Sequence, residues 1–507
     1  MAKPIMVVGT MTNTGKSWIV TGLCRIFHQD GKSAAPFKAQ NTASSSFITD
    51  AGEEISRAQA VQAEAADIEP TSLMNPVLLK PAGEANVQVI VQGHPVGSMT
   101  MDKFQIYHDK KLGAVLRESY EALAAAYDIV ILEGAGNPSE VDSSEDDLAN
   151  MGMANVAQAP GILVADMDRG GVFATLFGTI MLMRPEERAM IKGIIINKFS
   201  GEPDSLTSGL RMIEEKTGIP VLGVVPMAPI DIEEEDNLSA SIKSDDVEKI
   251  ITIDVIALPH ISNFTDFNAF ERIPGVALRY IHKESELTDP DMIIIPGTLN
   301  TIGDLKWMRQ NGIEEAILTK AREGVVVFGV CGGYQMMGEK LADPYHVEEG
   351  GVLKGMGLLK TVTMFSDRKR TFRVEGFFGN VRGIFRQLKG KSFYGYEIHS
   401  GITDFPTENC LTHMRPTYEP GEIVPEGSQY VDDVMNVYGT FIHGIFDCEG
   451  VASTMARALF AKKGRKPADM QSVNYRSYKQ EQYDKLADCL RRHIDMDKIY
   501  KIVEEGL

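Results

Sequence analysis

Short apolar runs, each ending in glycine or a polar residue, recur along the chain. The first covers residues 5–8, and similar runs lie within 127–133, 161–166 and 193–199. Between them lie stretches in which apolar residues have the spacing of a helix, as at 18–27. Strands that alternate with helices predict an α/β fold whose parallel sheets carry helices on both faces.

An acidic and polar segment at residues 230–249 interrupts this alternation, and a new strand-like run begins at residue 251. Many carboxylates and few apolar side chains are typical of a solvated linker. Near the end of the chain, residues 477–507 have helical spacing, and we expect one or two helices packed on the second domain. The predicted units are a first domain at 1–235, a linker at 236–250, a second domain at 251–455 and a helical extension at 456–507.

Length and composition favour a soluble protein with more than one domain. The chain has 507 residues, of which 43% are hydrophobic, and this is too long for a single core. No apolar run approaches the roughly 20 residues that span a bilayer, and no secretory signal precedes the first strand, so we expect a cytoplasmic protein without membrane contact. A net charge of −19 argues against nucleic acid as a partner, because a polyanion would be repelled. The sequence predicts no oligomeric state.

Residues 325–338 have the layout of a nucleophile on a sharp turn between a strand and a helix. Four apolar residues lead into the sequence GVCGG, with Cys331 at its centre. Small neighbours are needed because the strained backbone of such a turn leaves little room for side chains. The following helix would place its N-terminal N–H groups where they can activate the thiol and stabilise an oxyanion. We therefore predict that Cys331 is a catalytic nucleophile rather than a structural cysteine.

A cysteine nucleophile requires a base, and no histidine lies nearby in the sequence. His443 is one candidate, because an apolar stretch leads to it and a glycine follows. His399 is a second candidate, in a segment with strand-like alternation at 394–401. The residue types alone do not distinguish the two.

A third segment fits the same site. An apolar run at 291–295 breaks at Pro296 and Gly297. Turns at the carboxyl ends of parallel strands face the crevice where α/β proteins bind ligands. We therefore predict that the backbone N–H groups of Gly297 and Gly332 form an oxyanion hole.

The second chemical centre is a glycine- and threonine-rich loop near the start of the chain. The loop GTMTNTGKS at 9–17 follows a strand and precedes a helical stretch. It matches the phosphate-binding pattern G-x-x-x-x-G-K-[ST], except that its first glycine comes one position early. Lys16 can reach the β- and γ-phosphates of ATP, and the Ser17 hydroxyl can bind Mg²⁺. The predicted ATP-binding residues of the loop are Thr12, Asn13, Thr14, Gly15, Lys16 and Ser17.

Polar residues that end neighbouring strands extend this site. Glu133 ends an apolar strand and is expected to hold Mg²⁺ together with Ser17. Asp166 ends another strand and is placed near the metal, whereas Asn197 ends a third and is placed at the purine. The predicted cofactors are therefore ATP and Mg²⁺.

An ATP site and a thiol nucleophile on one chain are typical of enzymes that hydrolyse glutamine and spend the ammonia on an activated carboxylate. At this point the chain resembles a known family, the cobyric acid synthases, over essentially its full length. The segments that carry the resemblance include PFKAQNTASSS (36–46), MNPVLLKP (74–81), ADMDRGGVFATLFGT (165–179), ALPHISNFTDF (257–267) and FGVCGGYQMMG (328–338).

The resemblance implies a first, P-loop domain similar to dethiobiotin synthetase and a second domain of the class I glutamine amidotransferase type. It implies that the small-molecule partners are ATP, glutamine and adenosylcobyrinic a,c-diamide, whose b, d, e and g carboxylates are amidated in turn. It also selects His443 over His399 as the base of the Cys331 site. Cobyrinic acid a,c-diamide synthase, which shares both domains, is the alternative.

The family pattern adds expectations for other residues. Most class I amidotransferases have a glutamate two residues after the catalytic histidine, where this chain has Ile445, so the resemblance implies a Cys–His dyad assisted by water or another group. Lys38 and Asn41 lie in a segment that resembles the substrate-facing loop of the family. We expect Lys38 to neutralise an acyl phosphate or a substrate carboxylate and Asn41 to bind an amide. Arg57 and Lys80 are expected to add positive charge.

Overall fold

The computed structural model describes residues 2–81, 86–139, 148–233, 249–417, 421–465 and 475–507. The described residues form two parallel-sheet domains of mixed α/β type, which confirms the predicted fold class. The predicted linker at 236–250 lies outside the described residues except for its last two positions. Within the part described, every helix is too short or too polar to cross a membrane.

The first domain contains twelve strands and eight helices among the described residues. The strands are β1 (Lys3–Gly9), β2 (Ala34–Phe37), β3 (Gln40–Thr42), β4 (Ser46–Ile48), β5 (Glu54–Ser56), β6 (Val77–Pro81), β7 (Asn86–Val91), β8 (His94–Thr100), β9 (Ile129–Glu133), β10 (Gly161–Asp166), β11 (Ile191–Phe199) and β12 (Val221–Pro226). The helices are α1 (Lys16–Gln29), α2 (Arg57–Ala65), α3 (Met101–Tyr107), α4 (Gly113–Ala126), α5 (Met151–Ala157), α6 (Val172–Leu182), α7 (Pro185–Met190) and α8 (Thr207–Thr217).

Six of these strands form a parallel sheet in the order β12-β11-β10-β1-β9-β2. The residues of β1 from Ile5 to Val8 are fully buried, as expected for a strand covered by helices on both faces. Because the strands are parallel, the loop after β1 lies at the same edge of the sheet as the ends of its neighbours. Glu133, Asp166 and Asn197 are brought to that edge.

Between β2 and β9 the chain builds two smaller sheets. One has the order β3-β6-β7-β8, and the other is the two-stranded pair of β4 and β5. We call residues 46–56 the interdomain hairpin, because its first strand contacts the second domain. Ile48 belongs to the same buried cluster as Tyr396 and Ile398.

The second domain begins with β13. Its strands are β13 (Ile251–Ile256), β14 (Val276–Ile281), β15 (Met292–Ile295), β16 (Val326–Val330), β17 (Lys340–Asp343), β18 (Gly351–Lys354), β19 (Val362–Phe378), β20 (Ser392–Asp404), β21 (Thr412–Pro416), β22 (Val424–Glu426), β23 (Ser428–Val431) and β24 (Asn436–Thr440). Its helices are α9 (Asn268–Glu271), α10 (Thr301–Gln310), α11 (Ile313–Arg322), α12 (Gly332–Met336) and α13 (Val451–Lys462).

The main sheet of the second domain has the order β14-β13-β15-β16-β24-β23. All its neighbouring strands are parallel except β23, which is antiparallel to β24. The neighbours β15, β16 and β24 therefore end side by side, and their following turns carry Gly297, Cys331 and His443. A second sheet, ordered β18-β17-β19-β21-β22 with β20 on β19, packs beside it.

The last helices, α14 (Tyr475–His493) and α15 (Met496–Glu505), pack mainly on the first domain. The start of α14 also reaches the second domain, where the Arg272 guanidinium lies 5.7 Å from the centroid of the Tyr478 ring. Leu486 and Leu490 of α14 belong to the buried cluster that contains Leu23 of α1. Arg25 of α1 forms an ion pair with Asp484 at 2.8 Å. The helical spacing predicted these elements. The prediction that they pack on the second domain was wrong for most of their length, because an apolar helix face does not specify which surface it packs against.

Candidate active site

Cys331 lies on a strained turn between β16 and α12. Its φ of 51° and ψ of −114° are values that a residue with a side chain rarely adopts. A Cβ atom on Gly329 would lie 2.9 Å from the backbone nitrogen of Tyr334, and one on Gly333 would clash with the carbonyl oxygen of Ile295. Glycine is therefore required on both sides of the cysteine. The structure forms the strand–turn–helix geometry that a nucleophile of this kind needs.

His443 is the histidine that lies beside Cys331. A Cβ atom on Gly297 would lie 3.1 Å from His443 Cε1 and 3.5 Å from Cys331 Cβ, so the two side chains meet at this glycine. His443 Nδ1 is 2.7 Å from Asp266 Oδ2, and the Gly444 N–H donates to Asp266 Oδ1 at 3.1 Å. Because Asp266 engages Nδ1, Nε2 is the nitrogen that remains for the thiol.

Asp266 is the group that assists the Cys–His pair, for which the resemblance left water or another group open. Ile445, at the position where most related enzymes have glutamate, is fully buried and apolar. The carboxylate comes instead from the 3₁₀ turn Phe264–Phe267, which lies 177 residues before His443 in the sequence. The segment 257–267 showed this aspartate, but no spacing rule places it next to a distant histidine. The third member of the site could therefore not be identified from the sequence.

The environment of His443 favours its protonated form. Burial lowers the pKa of His443, but the negative charges of Asp266 and of the Cys331 thiolate raise it to about 10. An imidazolium beside the cysteine in turn stabilises the thiolate, which is the nucleophilic form of the side chain. The arrangement can therefore attack a carbonyl carbon and protonate a leaving nitrogen.

His399 occupies a different environment. Its ring stacks on Phe441 with centroids 3.7 Å apart, and its Nε2 is 3.5 Å from Glu397 Oε2. The preceding residue, Ile398, contacts the site through its backbone, because its carbonyl oxygen accepts a hydrogen bond from Cys331 Sγ at 3.5 Å. The structure thus places His443, and not His399, in contact with the thiol.

The two glycines predicted to form an oxyanion hole lie in adjoining segments. A Cβ atom on Gly332 would lie 2.7 Å from Thr298 Cγ2 and 3.2 Å from Thr298 N. The turn after β15 and the start of α12 therefore run in contact next to Cys331. Their position suits donors to an oxyanion, and the roles of Gly297 and Gly332 stay a prediction.

The loop at 9–17 forms a curved backbone between β1 and α1. Asn13 and Gly15 have φ values of 62° and 90°, which turn the loop back towards the helix. Lys16 Nζ donates to the carbonyl oxygens of Met11 at 3.0 Å and Gly136 at 3.3 Å. The Lys16 ammonium group therefore lies in the space that the phosphates of a nucleotide would occupy.

Asn197 supports this loop from the neighbouring strand. Its Nδ2 donates to the carbonyl oxygen of Thr14 at 3.0 Å, and a Cβ atom on Gly15 would clash with the same amide. Asp166 pairs with Lys198 at 3.1 Å. The structure therefore shows Asn197 holding the loop, whereas its contact with the purine stays a prediction, as does the placement of Asp166 near the metal.

Glu133 and Ser17, the predicted metal ligands, are in direct contact. Glu133 Oε1 accepts hydrogen bonds from Ser17 Oγ at 2.7 Å and Lys38 Nζ at 2.9 Å, and its Oε2 accepts one from Gln62 Nε2 at 2.5 Å. Burial raises the pKa of Glu133, but Lys38, Ser17 and Gln62 lower it below its ordinary value. A buried carboxylate that stays ionised next to a hydroxyl at a phosphate loop is a donor set that fits Mg²⁺.

Phosphate or water would have to complete the coordination of a metal ion there. Among the described residues, the structure contains no group of three or more His, Cys, Asp or Glu side chains that could hold a metal ion. Octahedral Mg²⁺ is usually bound by one or two carboxylates together with phosphate oxygens and water. Ser17 and Glu133 therefore suit a nucleotide-bound ion better than an ion held by protein alone.

A cavity of about 770 Å³ lies at the phosphate loop and is lined by Lys16, Ser17 and Glu133. The predicted substrate residues Lys38 and Asn41 line this cavity as well. Both residues are buried, and both make contacts within the protein. Lys38 pairs with Glu133, and Asn41 Nδ2 donates to Ser56 Oγ at 2.8 Å and Gln59 Oε1 at 3.2 Å. Their contact with substrate stays a prediction that would require these partners to yield.

Arg57 and Lys80, which were expected to add positive charge, both form ion pairs within the protein. Arg57 pairs with Glu233 at 2.7 Å, and Lys80 pairs with Glu54 at 2.8 Å. Glu54 also pairs with Lys369 of the second domain at 2.9 Å, so two lysines share one carboxylate. The contribution of Arg57 and Lys80 to the binding of an anionic substrate stays a prediction.

Comparisons with known proteins cover both domains. Residues 5–240 match the family model of the CobQ/CobB/MinD/ParA nucleotide binding domain, and residues 252–451 match that of the CobB/CobQ-like glutamine amidotransferase domain. Two relatives described as "Cobyric acid synthase", from Ruminiclostridium cellulolyticum and Lachnoclostridium phytofermentans, are each 48% identical over 100% of this chain and cover 98% and 100% of their own lengths. A third, from Citrobacter koseri, is 44% identical over 100% of this chain and 99% of its own length.

Proposed function

The chain belongs to the cobyric acid synthase family, and from this premise we propose that it amidates adenosylcobyrinic a,c-diamide with ATP and glutamine. The products of the successive steps would carry amides at the b, d, e and g positions and end in adenosylcobyric acid. The observation that carries the proposal is the convergence of Cys331, His443 and Asp266 in a chain that also has a phosphate loop.

The second domain would release ammonia from glutamine. The Cys331 thiolate attacks the side-chain amide carbon, and the N–H groups near Gly297 and Gly332 stabilise the oxyanion that forms. His443 then donates its Nε2 proton to the leaving nitrogen, so that the C–N bond breaks and a thioester remains. Water attacks the thioester with His443 as the base and releases glutamate. Asp266 holds the imidazole in the orientation that both steps require.

The first domain would activate the carboxylate that receives the ammonia. A substrate carboxylate oxygen attacks the γ-phosphorus of ATP. ADP is the leaving group, and the product is an acyl phosphate. Lys16 and the backbone N–H groups of the loop are placed to neutralise the transferred phosphoryl group. Mg²⁺, when bound at Ser17 and Glu133, supplies further positive charge to the phosphates. Ammonia then displaces phosphate and forms the amide.

Mass spectrometry of the corrinoid product tests this function. The purified chain is incubated with ATP, Mg²⁺, glutamine and adenosylcobyrinic a,c-diamide. Each amidation lowers the mass of the corrinoid by the difference between an OH group and an NH₂ group. We expect successive shifts for the b, d, e and g carboxylates and the release of glutamate and ADP. Turnover of cobyrinic acid, with no shift on its a,c-diamide, would assign the chain to the earlier a,c-diamide synthase step.

A further inference from the structure

A closed ring of hydrogen bonds joins the two domains next to His443. The Ser46 N–H donates to Asn263 Oδ1 at 3.1 Å, Asn263 Nδ2 donates to the Tyr396 hydroxyl at 3.1 Å, and this hydroxyl donates to the Ser46 carbonyl oxygen at 3.2 Å. Ser46 belongs to the interdomain hairpin of the first domain, and the other two residues belong to the second. All three are buried, so water does not compete for these bonds.

One arm of the ring reaches the imidazole through Tyr396. The rings of Tyr396 and His443 are stacked, with centroids 5.2 Å apart and planes at 19°. Their backbones also pair, since the Tyr396 N–H donates to the His443 carbonyl at 3.2 Å and the His443 N–H donates to the Tyr396 carbonyl at 2.9 Å. Tyr396 therefore restrains both the backbone and the ring plane of the histidine.

The other arm reaches the imidazole through Asn263. Asn263 begins the 3₁₀ turn Phe264–Phe267, and its carbonyl oxygen accepts a hydrogen bond from the Asp266 N–H at 3.0 Å. Its φ of 51° lies in the left-handed region, which asparagine tolerates better than most residues. The same ring thus holds the turn that presents the Asp266 carboxylate to His443 Nδ1.

We propose that the interdomain hairpin of the nucleotide-binding domain positions the glutaminase base through Tyr396 and Asn263. The Cys331 site would then be fully competent only while Ser46 is docked against these two side chains. The proposal rests on the proposed glutaminase function of Cys331 and His443. Tyr396 and Asn263 act through His443, so they are positioning residues.

Other contacts hold the domains together without this ring. Glu54 of the hairpin lies between Lys80 and Lys369, and Arg373 Nε donates to the Ile48 carbonyl oxygen at 2.9 Å. A variant that loses only the Tyr396 hydroxyl keeps these contacts. Any change in glutamine hydrolysis would then reflect the position of His443 and not the separation of the domains.

The first test compares Tyr396→Phe with a matched control, Tyr394→Phe, in the full chain. Phenylalanine keeps the stacked ring and removes the hydroxyl, whereas Tyr394 lies on the same strand with 56% of its surface exposed. We expect kcat for glutamine hydrolysis to fall about tenfold in Tyr396→Phe, the size of one lost buried hydrogen bond, with little change in KM. Ammonia-dependent amidation should be unchanged in both variants.

A second measurement reports on the thiolate itself. Iodoacetamide alkylation of the Cys331 peptide is followed by mass spectrometry across a pH series. A less restrained imidazolium stabilises the thiolate less, so the pH of half-maximal alkylation should move upward in Tyr396→Phe. The charged groups near the site are the same in Tyr396→Phe and Tyr394→Phe. They are Asp266 and Lys80 around the Cys331–His443 pair and Arg57, Asp447 and Glu233 around Tyr396.

Asn263→Gly provides an independent variant if Tyr396→Phe folds poorly. Glycine adopts the φ of 51° without strain, and it removes the hydrogen bonds to Ser46 and Tyr396 without adding a charge beside Asp266. The same two changes are expected. Wild-type values for both measurements in folded Tyr396→Phe and Asn263→Gly would overturn the proposal. A wild-type chain that does not hydrolyse glutamine, or a Cys331→Ala variant that does, would instead overturn the proposed function.

Discussion

The nucleotide site and the glutaminase site draw their residues from the chain in different ways. One continuous loop at 9–17 supplies most of the first site, and Glu133 on an adjacent strand completes it. The second site takes Cys331, His443 and Asp266 from segments that are up to 177 residues apart. A local site depends on the backbone of one loop, whereas a dispersed site depends on the order of strands and on domain packing.

The two sites also differ in whether the present contacts of their charged side chains must break when a ligand binds. At the nucleotide site Lys38, Ser17 and Gln62 already engage Glu133, so binding of a metal ion has to replace some of these bonds. At the proposed glutaminase site the Asp266–His443 contact is already formed, and the proposed mechanism uses it without rearrangement. We infer that the first site rearranges on binding, while the second is preorganised.

The largest effect should follow from Cys331→Ala, which separates the two sites. Loss of the nucleophile should lower glutamine-dependent amidation by at least about 10⁴-fold, while ammonia-dependent amidation continues. Product formation with glutamine and with ammonium salts, measured side by side, checks this. Loss of both activities in a folded variant would show that Cys331 is structural.

Asp266→Asn should lower glutamine hydrolysis by about 10³-fold, because the amide keeps the shape of the side chain and removes its charge. Burial lowers the pKa of His443, whereas Asp266 and the Cys331 thiolate together raise it to about 10, so the imidazolium persists above neutral pH. Without that charge His443 loses its proton at lower pH. The alkaline limb of kcat/KM should therefore move to lower pH. An unchanged pH profile would mean that Asp266 does not act on the base.

Lys16→Ala should impair amidation and spare glutamine hydrolysis, whereas Cys331→Ala should impair glutamine hydrolysis and spare amidation with ammonia. Amidation should fall about 10²- to 10³-fold with glutamine and with ammonia, because one charge is lost from the phosphoryl-transfer site. Basal release of glutamate should stay close to that of the wild type, since the second site is intact. Steady-state assays of ADP and glutamate in the same samples check both statements. Persistent amidation would contradict the assignment of the loop.

The smallest effect is expected from Gly297→Ala. The added methyl group would lie 3.1 Å from His443 Cε1, a tight contact that small shifts can relieve. We expect about a tenfold loss of glutamine hydrolysis and no loss of ammonia-dependent amidation. Gly324→Ala is not a suitable control because its φ is 90°, whereas Gly178→Ala meets nothing within 4 Å and has no positive φ. Equal effects in Gly297→Ala and Gly178→Ala would argue against close packing at the catalytic site.

Local patterns explain what could be predicted from the sequence. The loop at 9–17 and the turn at Cys331 are each contained in one short segment whose glycines and polar residues specify a backbone shape. Asp266 could not be predicted, because its contact with His443 depends on a turn and a strand end that only the folded sheet brings together. The family resemblance predicted Lys38 as a residue of the substrate-facing loop, but its pairing with buried Glu133 could not be predicted, because it depends on the contact between β2 and β9.

The return of α14 and α15 to the first domain makes the second domain an insertion within the first. Tyr483, Leu486 and Leu490 complete a core that begins with Ile5 and Leu23, so this core is assembled from both extremes of the described chain. During synthesis the first domain would expose that apolar face until residues 475–507 leave the ribosome, long after its own sheet is complete. A gene fragment that encodes only the first domain, without residues 475–507, should therefore yield an aggregation-prone product even though its phosphate loop is intact.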